Sequence, residues 1–384
     1  MDIKSYVVYS NKGGTGKTTL AFQLSAEYAR HHKHEQVVVI DMCPRANVSQ
    51  ALLAKTDKNP LRSQPGKVTV SKASSRLIEL SSGKKYEQTV GGYLLAMLDT
   101  KNAGKRTFHC QQFLVNVHEF NQDIHENVHL LCGDRYLDVL SKRLEQERQL
   151  SPTRYNENPW KTVTLFIKDF IDSLSDDSIW QHSCFVIDTN PNNSIYTEMA
   201  ISAAKWLIVP FTADDFSLSA IETMLYMVYG YESDEDKDER LESFKESQYF
   251  WLAQTNRIEC SKLLFFVFNR VTFYKSRPAS AFDAIRDRLV QILKPVLKYD
   301  SDTRRSRKMF SFLPYLWDDD ILEERYIVDL HDFHSKGIVS LHSGCRISGV
   351  ENGNQLVYDS IVNISSDNDS KYYEDICKIL NKMK

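Results

Sequence analysis

The sequence has little of what marks membrane, secreted or strongly charged proteins. No apolar run approaches the roughly 20 residues that a membrane-spanning helix needs, and no charged segment followed by an apolar one opens the chain. Seven cysteines occur without CxxC pairs, and their odd number argues against a disulfide framework, so we expect a reducing, cytoplasmic location. The formal net charge of −3 means that nucleic acid could bind only through a local basic patch.

The composition is that of an ordinary globular protein. The chain has 384 residues, of which 42% are hydrophobic and 26% charged, enough for a large core. Short apolar runs alternate with stretches of helical periodicity, and no internal repeat is evident. This alternation predicts an α/β fold with a mostly parallel β-sheet covered by helices on both faces.

A glycine-rich segment follows the first apolar run. Residues Asn11 to Thr19 read Asn-Lys-Gly-Gly-Thr-Gly-Lys-Thr-Thr and precede a stretch with leucines and a tyrosine at four-residue spacing. The three glycines let the backbone turn tightly and point N–H groups at one anion, and the following helix adds its positive end. Lys17 can reach terminal phosphates and Thr18 can place its hydroxyl on magnesium. The segment predicts a phosphate-binding P-loop that uses ATP and Mg²⁺.

One departure from the ordinary P-loop pattern is informative. Asn11 stands where that pattern has glycine, and Lys12 precedes the first glycine of the loop. The segment from Lys12 to Thr19 thus resembles the deviant Walker A motif of the ParA/MinD family, a SIMIBI-class branch of P-loop ATPases. In that family the early lysine reaches the partner's phosphates in a nucleotide-sandwich dimer. The resemblance implies an ATP-dependent homodimer, whereas a solvated loop lysine is the alternative interpretation of Lys12.

Two strand-like runs end in acids, as a nucleotide site of this type requires. Gln36–Asp41 and Cys184–Asp188 are short, apolar and β-branched, as buried parallel strands are. Strands of this kind present residues at their carboxyl ends, where ligands bind. The second run resembles the family's Walker B strand. Asp41 and Asp188 are therefore predicted to serve magnesium together with Thr18.

Position 43 departs from the family. Its members have an aspartate there, thought to orient the attacking water, and a glutamine after the following proline, whereas this chain has Cys43 and Arg45. A thiol takes a proton from water only when its pKa is lowered, which nearby Lys17 and magnesium would favour. Packing as a small apolar residue is the alternative role of Cys43. We therefore expect slow, partner-stimulated hydrolysis.

The remaining resemblance concerns adenine. The apolar run 263–268 ends at Asn269, where the family uses an asparagine side chain to bind the base, although an asparagine that caps the next turn is the alternative. Segments resembling the family cover residues 5–53, about 130–225 and 263–293. The implied site comprises catalytic Lys12, Lys17, Asp41 and Cys43; ATP-binding Lys12, Gly13, Gly14, Thr15, Gly16, Lys17, Thr18, Thr19 and Asn269; and metal-binding Thr18, Asp41 and Asp188.

The domain organisation follows from where the periodicity breaks. We expect an ATPase domain over residues 1–300, with an insertion at about 54–130, and a C-terminal extension at 301–384 that packs on it. The insertion contains a polar loop over 56–85 and short helices at 90–98 and 111–120. We also predict a strand at 128–131, a helix at 135–150 and another after Asp214 or Asp215, and a solvated charged run at 232–240.

Three features of the last third compete for a functional interpretation. The cluster Arg304, Arg305, Arg307 and Lys308 would bind DNA phosphates or be solvated surface. The amphipathic segment from Tyr372 to Met383 would lie on a membrane or, as we favour, close the core of its own domain. The set His331, His334, His342 and Cys345 would hold zinc or, more commonly for such spacing, be scattered loop residues.

The motif and the resemblance together predict an ATP-driven dimerisation switch of the ParA type. We expect it to act in plasmid or chromosome partition, or in cargo positioning, with an adaptor protein, and to associate with the nucleoid if it binds DNA; no membrane partner is expected. This step is an analogy to soluble family members. A regulatory or antiviral-defence ATPase whose dimer recruits an effector remains an alternative, as does a metabolic P-loop enzyme that acts on a small substrate.

Overall fold

A computed structural model provides the structure of the protein. It describes residues 3–54, 87–103, 109–154, 156–231, 248–274, 277–278, 280–302, 325–358, 360–365 and 369–383. The polar loop predicted over 56–85, the charged run at 232–240 and the basic cluster at 304–308 lie outside the described residues.

The described residues form one eight-stranded sheet and two small two-stranded ones. The strands are β1 (Lys4–Val8), β2 (Val37–Asp41), β3 (Val115–Asn116), β4 (Val128–Leu131), β5 (Cys184–Asp188), β6 (Trp206–Phe211), β7 (Lys262–Val271), β8 (Phe273–Tyr274), β9 (Arg277–Pro278), β10 (Ile327–His331), β11 (Gly353–Val357) and β12 (Ser360–Ile364). The large sheet has the order β10-β7-β6-β1-β5-β2-β4-β3 and is parallel except for the edge strand β3. The carboxyl ends of β1, β2 and β5 therefore lie side by side.

Helices cover both faces of this sheet. They are α1 (Lys17–His31), α2 (Asn47–Leu52), α3 (Val90–Ala103), α4 (Tyr136–Arg148), α5 (Pro159–Thr164), α6 (Phe166–Ser175), α7 (Ile195–Ala203), α8 (Asp215–Tyr229), α9 (Tyr249–Thr255), α10 (Ser280–Asp302), α11 (His334–Ser343) and α12 (Asp369–Lys382). Alternate residues of the strands point to opposite faces, so that Val7 packs in one hydrophobic core and Tyr6 and Val8 in the other. The predicted α/β fold with a mostly parallel, doubly covered sheet is confirmed.

The P-loop helix and the C-terminal helix share one of these cores. The apolar residues of α12, among them Tyr372, Ile376 and Ile379, are buried against α1 and the sheet face that α1 covers. The amphipathic segment thus closes the core of its own chain, which is the interpretation that its spacing favoured. Among the described residues, no helix combines the length and the apolarity that crossing a bilayer requires.

Two observations bear on the predicted boundaries. The helix predicted at 111–120 is wrong: this stretch forms two short 3-10 turns, at Cys110–Phe113 and Val117–Glu119, with β3 between them. The apolar residues at these turns are buried individually rather than along one helical face.

The main sheet also crosses the boundary predicted at residue 300. Strand β10 pairs in parallel with β7, and helix α10 runs through residue 300.

Candidate active site

The glycine-rich loop connects β1 to α1 at the centre of the sheet. Gly14 and Gly16 adopt positive φ angles of 78° and 89°, which β-carbon-bearing residues avoid. A β-carbon at Gly16 would also lie 2.1 Å from Nδ2 of Asn269. The loop therefore needs glycine at this position for two independent reasons, conformation and close contact. Its backbone turns directly into the amino end of α1, the arrangement that binds phosphate.

The two lysines of the loop are held in different ways. Lys17 is 6% exposed, and its Nζ donates to the backbone oxygen of Lys12 at 2.6 Å. Burial lowers the pKa of Lys17 to about 8, although the nearby carboxylate of Asp188 favours the charged form. Lys12 instead turns towards α8, where its Nζ lies 2.5 Å from the carboxylate of Asp214. Lys17 thus remains inside the loop, while Lys12 contacts a neighbouring element.

The two predicted acids occupy adjacent strand ends. Asp41 and Asp188 are direct partners in the register of β2 and β5, and both are fully buried. Burial raises the pKa of Asp41 to about 6. The hydrogen bonds that its oxygens accept from Ser49 and from the backbone N–H of Cys43 act in the opposite direction and lower the pKa. Burial, and then the charge of Asp41, raise the pKa of Asp188 as well. Two carboxylates buried together in this way are suited to a cation.

The residues present fit a magnesium ion. Thr18 donates its hydroxyl to Oδ2 of Asp188 at 2.9 Å, whereas Oδ1 of Asp188 is buried and has no hydrogen-bond partner within the described part of the chain. A buried carboxylate oxygen without a partner is costly unless a ligand satisfies it. Thr18 and Asp188 would hold the ion, which would neutralise phosphate charge when bound. Both oxygens of Asp41 already accept hydrogen bonds from Cys43 and Ser49, and its predicted contact with the ion stays a prediction.

Cys43 lies beside the P-loop but with a thiol unsuited to proton transfer. Its side chain is buried, and burial together with the charge of Asp41 raises the pKa of Cys43 to about 12. Such a thiol remains protonated at neutral pH. Proton transfer to Cys43 during hydrolysis would need a lowered pKa, whereas the surroundings raise the pKa of this thiol.

A large open cavity of about 1060 Å³ lies in front of the P-loop. Of the predicted residues, Gly13, Gly14, Gly16, Lys17, Thr18, Thr19 and Cys43 line it. Residues that the sequence analysis did not assign to the site line it too, namely Arg45, Asn47, Gln50, Arg135, Asp138, Asn190, Asn192 and Arg270. Each of these lies near or shortly after the carboxyl end of a parallel strand, and this shared position is the signal that could have found them.

Asn269 contacts the P-loop itself. Its Nδ2 donates to the backbone oxygen of Thr15 at 2.8 Å, and its Oδ1 accepts from the backbone N–H of Arg270. The side chain is 9% exposed. Asn269 therefore braces the loop from the end of β7, and its predicted contact with adenine stays a prediction.

The sequence matches a family model described as an AAA domain over residues 3–239. The match covers more than half of the 384 residues and includes the P-loop, both acids and the cavity residues up to Asn192. The chain belongs to this family. It is a ParA/MinD-like P-loop ATPase, as the deviant Walker A motif predicted. No curated protein sequence matches this family member.

Two solved structures of McdA share the fold of this ParA/MinD-like ATPase at low sequence identity. An ATP complex of a McdA variant from Cyanothece has a TM-score of 0.53 and 14% identity, covering 100% of this chain and 97% of its own. Apo McdA from the same organism has a TM-score of 0.52 and 14% identity, with 90% and 92% covered. A plasmid partition protein from Borrelia burgdorferi bound to AMPPNP has a TM-score of 0.48 and 15% identity, with 99% of each chain covered.

The C-terminal histidines do not come together. The ring of His331 contacts the carboxylate of Asp375 at 2.5 Å, while Nε2 of His342 accepts from the backbone N–H of Tyr358 at 3.4 Å. Within the described ranges, no group of three or more histidine, cysteine, aspartate or glutamate side chains is arranged to hold a metal ion. His331 ends β10, and His334 and His342 lie in α11, so these histidines belong to regular elements rather than to the loops that the sequence predicted.

Proposed function

We propose that this ATPase is a dimerisation switch, in which ATP joins two copies face to face and hydrolysis releases them. The observation that carries the proposal is the position of Lys12. This lysine directly precedes Gly13, which lines the cavity, yet its side chain turns away from the loop and contacts Asp214 of its own chain. A lysine needed only for the phosphates of its own subunit would point inward, as Lys17 does.

The surroundings of the cavity support association of two copies there. Phe216, in the first turn of α8, is 78% exposed, and Val139, in the first turn of α4, is 73% exposed. Val139 directly follows Asp138, which lines the cavity, and Phe216 lies two residues after Asp214, the partner of Lys12. Exposed apolar side chains next to a cavity residue and next to the partner of Lys12 are suited to a contact that forms only when nucleotide is bound.

We further propose that hydrolysis is slow and stimulated by an adaptor protein, and that the switch drives DNA partition or cargo positioning. The absence of a carboxylate at position 43 supports slow turnover. A basic run of Arg304, Arg305, Arg307 and Lys308 supports non-specific DNA binding, in which two copies would double the number of phosphate contacts. Association with the nucleoid in the cytoplasm would follow.

A DNA-binding measurement tests the complete proposal. Fluorescence anisotropy of a labelled duplex of random sequence is recorded with ATP-magnesium and with ADP-magnesium, each over a salt series. We expect tight binding only with ATP, weakening steeply with salt, and a smaller salt slope after the joint changes Arg304→Glu and Arg305→Glu. Equal affinity in ATP and ADP would remove DNA from the proposed switch, and an unchanged affinity in the variant would exclude this basic cluster as the DNA-binding site.

A further inference from the structure

The two acids at the ends of β2 and β5 are already committed in the structure. Asp41 accepts hydrogen bonds from the backbone N–H groups of Cys43 and Ser49, both at 3.0 Å, and from the Ser49 hydroxyl at 2.7 Å. Asp188 accepts from Thr18, and its other oxygen, which has no hydrogen-bond partner in the described residues, would contact the cation. With a thiol at position 43, the carboxylate that would orient the attacking water must come from elsewhere.

Asp138 meets this requirement. Among the side chains that line the cavity in the described part of the chain, it is the only carboxylate. It lies in the first turn of α4, on the same cavity wall as Arg135. No hydrogen bond or ion pair within the described ranges engages its carboxylate, which is therefore available to a ligand in the cavity.

The loop between β4 and α4 fixes this helix beside Cys43. The backbone N–H of Gly133 donates to the hydroxyl of Ser49 at 3.0 Å, and a β-carbon at Gly133 would lie 2.8 Å from the backbone oxygen of Cys43. The next residue, Asp134, accepts from the backbone N–H groups of Gly91 and Tyr136 at 3.2 and 2.7 Å. The start of α4 is thus held against the loop that contains Cys43 by contacts in which Asp138 takes no part.

We propose that Asp138 is the catalytic carboxylate of ATP hydrolysis, in place of the aspartate that the family has at position 43. The oxygen of the attacking water forms a bond to the γ-phosphorus. The bond from that phosphorus to the oxygen bridging the β-phosphate breaks, and its electron pair leaves with ADP. One proton of the water passes to the Asp138 carboxylate and then to the released phosphate or to solvent. This inference rests on the proposed hydrolysis and names the residue that performs it.

The test compares Asp138→Asn, which keeps the size of the side chain, with Glu147→Gln on the same helix but outside the cavity. We expect Asp138→Asn to lower kcat at least about 100-fold, the range usual for loss of a general base, while ATP affinity changes less than about threefold. ATP-dependent dimers should still form and should persist longer. Glu147→Gln should match the wild type in all three measurements.

A rescue variant separates catalysis from structure. Cys43→Asp introduced into Asp138→Asn restores the family's carboxylate and should recover at least about tenfold of the lost kcat. Wild-type kcat in Asp138→Asn, or loss of ATP binding together with activity, would overturn the assignment. Wild-type protein that dimerises with ATP but never hydrolyses it would overturn the assignment and leave the switch intact. Failure of ATP to join wild-type chains, with hydrolysis lost in Asp138→Asn, would reject the switch and keep the assignment.

Discussion

Nζ of Lys12 lies 2.5 Å from Oδ2 of Asp214, the residue that caps the amino end of α8. The lysine also donates to the hydroxyls of Thr212 and Ser217, at 3.3 and 3.1 Å. Although burial acts in the opposite direction, the hydrogen bonds from Lys12 and Thr212 lower the pKa of Asp214 below its ordinary value. In the account proposed here, Lys12 must leave this contact before it can reach the phosphates of a second copy.

Replacing Asp214 by Asn should therefore favour dimerisation. Asn keeps the cap, because its side-chain oxygen can still accept from the N–H of Ser217, but it removes the charge that holds Lys12. Because the pair is partly exposed, with 25% and 33% of the side chains accessible, we expect a gain of only about two- to fivefold in dimer affinity with ATP. Sedimentation equilibrium measures it. Asp215→Asn, one residue along, is the control and should leave the affinity unchanged.

Asp188→Asn should uncouple ATP binding from magnesium. The buried oxygen without a partner on Asp188 is the best candidate for the metal, so we expect ATP affinity in magnesium to fall about tenfold or more, or roughly 1.4 kcal/mol. Affinity in EDTA should stay within about twofold. Calorimetric titrations with and without magnesium measure both values, and an equal loss in both conditions would place the metal elsewhere.

Arg346→Ala should destabilise the fold strongly. Glu27 of α1 is fully buried, and its carboxylate accepts from Nη1 of Arg346 at 3.2 Å and from the hydroxyl of Ser348. Removing one partner of a buried pair leaves an uncompensated charge, at a cost of about 3–5 kcal/mol. Urea denaturation measures the change. The control Arg30→Ala removes an exposed arginine from α1, the helix of Glu27, and should cost less than about 1 kcal/mol. Similar losses of stability in both variants would contradict this account of the pair of Glu27 and Arg346.

Acidification should weaken the fold through His129. Its Nε2 donates to Oε1 of Gln36 at 2.8 Å and its ring packs edge-on against Trp180; burial lowers the pKa of His129 to about 4. In the unfolded chain the histidine binds a proton near pH 6.5, whereas in the folded chain it stays neutral down to about pH 4. The free energy of unfolding is therefore unaffected by His129 above pH 6.5 and decreases as the pH falls from 6.5 towards 4. Between pH 7 and pH 5 the wild type should lose about 2 kcal/mol more than His129→Gln. The exposed control His182→Gln should follow the wild type.

The sequence predicted the parts of the site that depend on local pattern. Gly14 and Gly16, the two strand-end acids and the cap at Asp214 are each encoded within a few residues, and the structure has them in the predicted elements. The partners of Lys12 and Asn269 depend instead on which strand ends become neighbours across the sheet. Asp138 was missed for the same reason, because the loop that places its helix against the Cys43 loop follows β4, about 90 residues along the chain.

The edge of the sheet gives the corresponding lesson for the fold. The stretch 111–120 has apolar residues at spacings that suit a helix, yet Phe113, Val115 and Val117 are buried in three separate short elements, two 3-10 turns and a strand. The structure of this stretch depends on its packing against α3 and β4, and the local spacing of apolar residues carries no information about these partners. The same holds for β10, whose place beside β7 depends on long-range pairing.

Size-exclusion chromatography with light scattering tests the central claim most directly. Apo, ADP-magnesium and ATP-magnesium forms of the wild type and of Lys12→Ala are compared, with ATP affinity measured on both proteins. The account predicts that the wild type doubles its mass only with ATP, and that Lys12→Ala binds ATP but remains monomeric. An oligomeric state that does not respond to ATP, or a Lys12→Ala protein that dimerises like the wild type, would contradict it.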